Sequence, residues 1–379
     1  MARAAVIVSL SGLRKTLGRD TKINAELKAP FPYFGGKRQA APLIWGALGD
    51  PSGYVEPFAG SAAVLLARPE FTGRRVETLN DADGWLVNAW RAIKYAPDEV
   101  AKHADGPVTE IDYHARLAWL QGRRDDNLVS WLEGDPEVYD PKAAGWWLYV
   151  MACGIGDLWS SGPWRVIDGR LVDARDLPNV DADGKGITRR LPHLGDAGKG
   201  IKRQLPHLAS AGKGINRALS DYGDSTNDPL TEYMRHIADR LAEVRIACGD
   251  WRRVCGPAPA QAKTGDGDGS LAVFLDPPYA TYGDMYAIGD SAANISADVA
   301  KWAADNDSQY RIVLCGYEAE HDWLLDRGWT RIEGKSGNGN GYGRTPGGGR
   351  RERLWLSPQC ITFHQPSLED ALADFSGGA

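Results

Sequence analysis

Tyr54-Val55-Glu56-Pro57-Phe58-Ala59-Gly60-Ser61-Ala62 is the stretch whose reading decides the fold. A short apolar run, Tyr54 to Phe58, passes into small residues, and a small-residue helix over Ala62 to Ala67 follows at once. A strand that turns directly into a helix opens a βαβ unit. Outward from it, Val76 to Leu79 reads as a second strand and Trp85 to Lys94 as a second helix. The alternation predicts an α/β fold built on a parallel sheet.

A second block of the same texture runs from about Thr231 to Gln359. It holds a helix over Thr231 to Val244, strands over Val244 to Ala247, Leu271 to Leu275 and Arg311 to Cys315, and a helix over Ala293 to Asp305. Between the blocks lies a region rich in Trp, Gly and Pro in which regular periodicity is hard to find. The expected organisation is therefore a leader over 1–28, a discontinuous α/β domain over 29–104 and 231–360, an insertion over 105–230, and a tail over 361–379.

The 379 residues suit two domains, or one carrying a large insertion. Hydrophobic residues at 43% and charged residues at 25% are globular proportions, which exclude a chain disordered throughout. Forty-four Lys and Arg against 50 Asp and Glu leave a net charge of −6, which excludes a protein coated in positive charge but not a local basic patch. The five cysteines, Cys153, Cys248, Cys255, Cys315 and Cys360, stand far apart with no CxxC pair, so neither a zinc site nor a disulfide framework is expected. A reducing cytoplasm fits that usage. The apolar run Ala4 to Val8 is too short for a signal peptide. No stretch approaches the ~18 apolar residues of a membrane helix.

Within the insertion a 14-residue period repeats: GKGITRRLPHLGDA from Gly184, GKGIKRQLPHLASA from Gly198, and a decaying GKGINRALSD from Gly212, together covering 184–221. Each copy sets a Lys (Lys185, Lys199, Lys213) and an Arg (Arg189, Arg203, Arg217) at one phase. The Gly and Pro of the repeat argue against a continuous helix and for turns or short hairpins. From Lys185 to Arg217 there are eight basic residues and one acid, Asp196. Positive charge concentrated in one element lets an acidic protein grip a polyanion through its phosphates; the plainer reading is a duplicated loop kept soluble by its charges. A smaller basic cluster, Arg350, Arg351 and Arg353, follows the Gly-rich stretch 334–349.

Four local patterns carry chemistry. Leu271 to Leu275 runs into Asp276-Pro277-Pro278-Tyr279, so a buried strand delivers an acid, two donor-free prolines with accepting carbonyls, and an aromatic face to the carboxyl edge of the sheet. That set suits an exocyclic amino group on a flat ring; otherwise it is a rigid turn. The small residues after Glu56 let a cofactor approach the backbone near a helix N-terminus. Leu79-Asn80-Asp81 ends the next strand with an acid that either accepts from ribose hydroxyls or caps a helix. Tyr33-Phe34-Gly35-Gly36-Lys37 is a Gly-Gly turn before a cation, able to hold a carboxylate or simply to turn.

Taken in order, these four patterns resemble the Dam-type DNA N6-adenine methyltransferases (D12 class, alpha group), from about Pro30 to Pro358. The family's (W/Y)xGGK segment is matched by Tyr33 to Lys37, its EPFxGxGA by Glu56 to Ala63, and its LND and DPPY by Leu79 to Asp81 and Asp276 to Tyr279. Trp146 to Trp164 resembles the segment entering the recognition domain, and Arg353-Leu354-Trp355-Leu356-Ser357 the final strand. The resemblance implies a class I, Rossmann-like fold with an inserted target-recognition domain. It implies S-adenosylmethionine as cofactor, S-adenosylhomocysteine as product, no metal, and double-stranded DNA as partner.

On that mapping Tyr33, Phe34, Gly35, Gly36 and Lys37 line the methionine end, and Glu56, Pro57, Phe58 and Gly60 form the turn beneath the cofactor. Asp81 meets the ribose, Asp250 and Trp251 the cofactor adenine, and Asp276, Pro277, Pro278 and Tyr279 the target base. Asp before the two prolines leans toward adenine over cytosine N4. Lys185, Arg189, Lys199, Arg203, Lys213, Arg217, Arg350 and Arg351 are the expected phosphate contacts. Two features depart from the family: Ala62 stands where a second Gly is usual, and the 14-residue repeat resembles phage-borne relatives rather than the best-known cellular members. Methylation of another amine and a non-catalytic DNA-binding role are the competing readings.

Overall fold

The computed structural model describes residues 7–9, 27–33, 37–70, 73–106, 108–123, 128–153, 164–167, 170–173, 229–278, 291–333 and 352–361. In chain order the strands are β1 (Ile7–Ser9), β2 (Gly53–Glu56), β3 (Val76–Asp81), β4 (Trp164–Ile167), β5 (Arg170–Asp173), β6 (Val244–Cys248), β7 (Leu271–Leu275), β8 (Arg311–Tyr317), β9 (Thr330–Glu333) and β10 (Glu352–Leu356). The helices are α1 (Ala41–Leu48), α2 (Ala63–Leu66), α3 (Gly84–Tyr95), α4 (Pro97–Ala104), α5 (Glu110–Gly122), α6 (Leu128–Gly134), α7 (Pro141–Cys153), α8 (Pro229–Leu241), α9 (Pro257–Ala260) and α10 (Ser291–Asn306). Among the described residues no helix is long and apolar enough to cross a membrane.

The chain divides into two compact units, one of residues 1–25, 37–79 and 251–379, the other of 26–36 and 80–250. The first unit carries a seven-strand, mostly parallel sheet in the order β1-β9-β10-β8-β7-β2-β3. β2, β3, β7 and β8 run parallel, with Tyr54 opposite Ala272 and Phe274 opposite Val313. β2 is buried along its whole length, as a strand covered on both faces must be. β10 runs antiparallel to β8 and β9, with Leu354 opposite Cys315. That reversal brings the first residue of β10 to the sheet edge where β7 and β8 end. Trp45 of α1 donates its indole N–H to the Val64 carbonyl of α2 at 2.7 Å and packs its ring 4.9 Å from Tyr54, fixing both helices against β2.

The second unit contains helices α3 to α8. Asp83 caps α3 by accepting from the backbone N–H groups of Trp85 and Leu86, and Thr109 caps α5 by accepting from the backbone N–H of Asp112. α7 buries Ala143, Ala144, Trp147, Leu148, Tyr149 and Val150. Its approach to α4 is close: a Cβ on Gly145 would lie 2.4 Å from His103 Cβ and 2.7 Å from the Val100 carbonyl.

The strand and helix expectations for the two α/β blocks match these elements to within a few residues. Two segments read differently. The region after residue 104 is helical through α5, α6 and α7, and in α7 Ala143, Ala144, Trp147, Leu148 and Val150 bury themselves at helical spacing although Trp and Gly interrupt the pattern. Ile7–Ser9, inside the expected leader, pairs in parallel with β9 at the edge of the sheet. The 14-residue repeat lies outside the described residues.

Candidate active site

The site in the first unit is assembled at the carboxyl edge of the parallel strands, where chain leaving each strand must turn away. β7 ends at Leu275, and the next residue, Asp276, is partly exposed while Pro277 and Pro278 behind it are buried. Two consecutive prolines fix the backbone as it leaves the sheet and donate no hydrogen bonds. The Asp276 carboxylate is thereby presented at the edge rather than folded back into the core.

Lys37 meets it there. The 3-10 turn Lys37–Gln39 precedes α1, and the Lys37 side chain is only 4% exposed. Its ammonium lies 2.7 Å from Oδ2 of Asp276 and 2.8 Å from Oε1 of Glu352, the first residue of β10. Burial pulls a lysine toward its neutral form, but the charges of Asp276 and Glu352 outweigh it and hold Lys37 above the ordinary lysine range. The amine is therefore an ammonium, bridging two carboxylates.

Glu56, at the end of β2, is a buried acid near this edge. Desolvation pushes its pKa up to about 8, a rise opposed by the hydrogen bond that Tyr54 donates to Oε2 at 2.9 Å and supported by the nearby charge of Asp276. At neutral pH it is protonated and adds no charge. Cys315 of β8 is completely buried, and desolvation beside Asp276 raises its thiol well above the usual value. It too is neutral.

Beyond Glu56 the chain makes a tight turn. Gly60 has φ 46° and Ala62 φ 48°, both left-handed, and Ala62 is the residue before α2. A second Gly is usual at the latter position in the resembling family, and the backbone shows why: an L-residue there carries strain of roughly 1–2 kcal/mol. Ala62 nonetheless occupies it, fully buried. Phe58 stands 6.1 Å from the ring of Trp251, and the buried indole N–H of Trp251 has no hydrogen-bond partner among the described residues. A small-residue turn, an aromatic pair and an unsatisfied buried donor fit a heteroaromatic cofactor better than a filled core, where such a donor would be paired.

Other expected site residues belong to the second unit. Gly249 donates its backbone N–H to the Asp81 carbonyl at 2.9 Å and accepts from the Asn80 amide at 3.0 Å, which draws the Asp81 and Asp250 segments together. The Asp81 carboxylate accepts from the Asp83 backbone N–H at 3.0 Å, while the cap of α3 is supplied by Asp83. Tyr33 is 39% exposed, its ring edge-on to Phe31, which is itself anchored between Trp90 and Trp147 at 5.3 and 4.9 Å. Phe34, Gly35, Gly36, Tyr279, Lys185, Arg189, Lys199, Arg203, Lys213, Arg217, Arg350 and Arg351 lie outside the described residues.

Sequence reading missed Tyr54, Cys315 and Glu352. Only half of the signal for Glu352 lies in the sequence: it immediately precedes the Arg353-Leu354-Trp355-Leu356-Ser357 segment, but the antiparallel pairing that brings it to the carboxyl edge of β7 and β8 is seen only in the structure.

A mostly parallel sheet closed by an antiparallel strand, with an acid and two prolines at its carboxyl edge, is consistent with a Rossmann-like methyltransferase fold. Residues 33–115 match the family model of the D12 class N6 adenine-specific DNA methyltransferases. Over that segment, well under half of the chain, the protein is similar to DNA adenine-N6 methyltransferases of that class, a family whose methyl donor is S-adenosylmethionine. Comparison with curated proteins gives no match.

Proposed function

We propose that the chain methylates an adenine turned out of duplex DNA, with Asp276 and the Pro277 carbonyl accepting hydrogen bonds from the adenine amino group. The observation that carries this reading is the pairing of Asp276 with the buried Lys37 ammonium at 2.7 Å, which fixes the carboxylate at the sheet edge. The N6 lone pair of adenine is delocalised into the ring. Two acceptors on the amino hydrogens favour a more tetrahedral nitrogen whose lone pair points away from the ring plane. The bound donor supplies an electrophilic methyl group on a sulfonium. The chain needs no covalent intermediate; it supplies positioning and electrostatics.

Lys37 orients Asp276 and keeps a positive charge close to it. The protonated Glu56 fills the turn beneath the cofactor without adding negative charge there, and Trp251, with its unpaired N–H and its Phe58 neighbour, contributes an apolar wall to the cofactor adenine. The family resemblance gives Asp81 the ribose hydroxyls, Asp250 the cofactor adenine and Tyr33 to Gly36 the methionine end. It likewise supports Tyr279 stacking on the extruded base, which offsets an unstacking cost of a few kcal/mol. The repeat lysines and arginines and Arg350 and Arg351 are assigned to the phosphates on charge alone. Insertion 105–230 is the reading for target recognition, and the bacterial cytoplasm, including that of a phage-infected cell, for the compartment.

The test is transfer of labelled methyl from S-adenosylmethionine to synthetic duplexes. With duplexes of mixed sequence, label recovered as N6-methyladenine after digestion to nucleosides is expected, whether the enzyme is site-specific or relaxed. Label recovered as N4-methylcytosine alone would transfer the same geometry to cytosine N4.

A further inference from the structure

We propose that Glu352 is a positioning residue for methyl transfer: as second counter-ion of Lys37, it leaves Asp276 its negative character for the target amine. This rests on the reading above, in which Asp276 accepts from that amine. A buried lysine paired with Asp276 alone would form a neutral couple. The ammonium would then draw on the very oxygens that must accept hydrogen bonds from a weakly acidic amino group, and a carboxylate so occupied is a poorer acceptor. With Glu352 at 2.8 Å on the same nitrogen, the three groups carry a net charge of −1, and the ammonium is shared between two carboxylates.

The topology of the sheet produces this arrangement. β10 is antiparallel to β8, with Glu352 opposite Tyr317 and Leu354 opposite Cys315, so the first residue of the last strand reaches the edge where Asp276 leaves β7. The groups facing Lys37 come from three elements: Asp276 after β7, Cys315 on β8 and Glu352 on β10. Glu56, on β2, stands near Asp276. Cys315 and Glu56 are held neutral by burial, so the second negative charge is left to Glu352. Its side chain is 39% exposed against 19% for Asp276, so it keeps more of its hydration than the acid it supports.

The experiment is steady-state methylation of duplex DNA by Glu352→Gln and Glu352→Asp, with melting temperatures and S-adenosylmethionine binding by calorimetry alongside. Gln keeps shape and an acceptor but loses the charge; Asp keeps the charge on a shorter arm. We expect Glu352→Gln to lose about tenfold in kcat, with both KM values and cofactor affinity moving less than about twofold, and Glu352→Asp to return within about threefold of wild type. A residue that serves structure alone gives the opposite order, the isosteric Gln active and the shortened Asp impaired, and that order overturns the proposal. Should the Gln variant not fold, the Asp variant decides: kcat near wild type supports the proposal, and a tenfold loss with an unchanged melt overturns it. Wild-type protein inactive on adenine-containing duplexes would overturn the functional reading and this inference together, whereas an active wild type with a fully active Gln variant overturns this inference alone.

Discussion

Lys37 Nζ stands 2.7 Å from Asp276 Oδ2, joining the turn that precedes α1 to a strand end that arrives only after the whole insertion. A cation 4% exposed at the carboxyl edge of the sheet, paired with two carboxylates, holds them in place and in charge. Replacing Lys37 by Met should therefore leave Asp276 and Glu352 facing one another without a cation. Breaking a fully buried pair costs about 3–5 kcal/mol; with Glu352 39% exposed, about 2 kcal/mol is expected in urea unfolding. Displacing Asp276 by an ångström should also reduce kcat about 100-fold. Unchanged stability and turnover would show that the pair is incidental.

Glu56 yields a pH prediction. Its folded pKa, about 8, lies above the ordinary 4.5, so the folded state binds a proton that the unfolded state has released between those values. Stability must therefore fall as pH rises from about 4.5 to about 8, and the full cost of burying the carboxylate is present above that window. Glu56→Gln abolishes the titration. The variant's stability advantage over wild type should grow by a few kcal/mol between about pH 5 and about pH 9. A pH-independent difference between the two melting curves would contradict the assignment.

Much of this architecture was legible because its signals are local. An apolar strand entering Glu56 to Ala62, and another ending at Asp276, state their elements and their edge in consecutive residues. What was illegible depends on pairing over distance. Nothing near Glu352 says that β10 runs antiparallel, and nothing near Lys37 says that its ammonium will be shared. The helices after residue 104 escaped for a different reason: Trp147 and Tyr149 bury polar-edged rings that blur an amphipathic stripe, and Gly145, a helix-weakening residue, is there to admit α4.

The close approach of α4 and α7 can be tested on its own. Gly145→Ala places a methyl group 2.4 Å from His103 Cβ and 2.7 Å from a backbone carbonyl, against a modest gain in helix propensity. Overpacking of this kind costs about 1–3 kcal/mol, so the variant should melt below wild type. A higher melting temperature would mean that the two helices stand farther apart than these distances.

The basic repeat makes a prediction about salt. If Lys185, Lys199 and Lys213 neutralise phosphates, exchanging all three for Gln should reduce the slope of log affinity against log salt by about 0.9 for each phosphate no longer neutralised. Fluorescence anisotropy over a salt series measures this directly. An unchanged slope would assign those charges to solubility.

On the proposed reading Asp276 serves methylation of adenine at N6. Nucleoside mass spectrometry of DNA from a methylation-free bacterial host, expressing either wild-type protein or Asp276→Ala, tests it most directly. N6-methyladenine in the first DNA and none in the second is the predicted result. N6-methyladenine at equal levels in both, or in neither although both proteins accumulate folded, would contradict it.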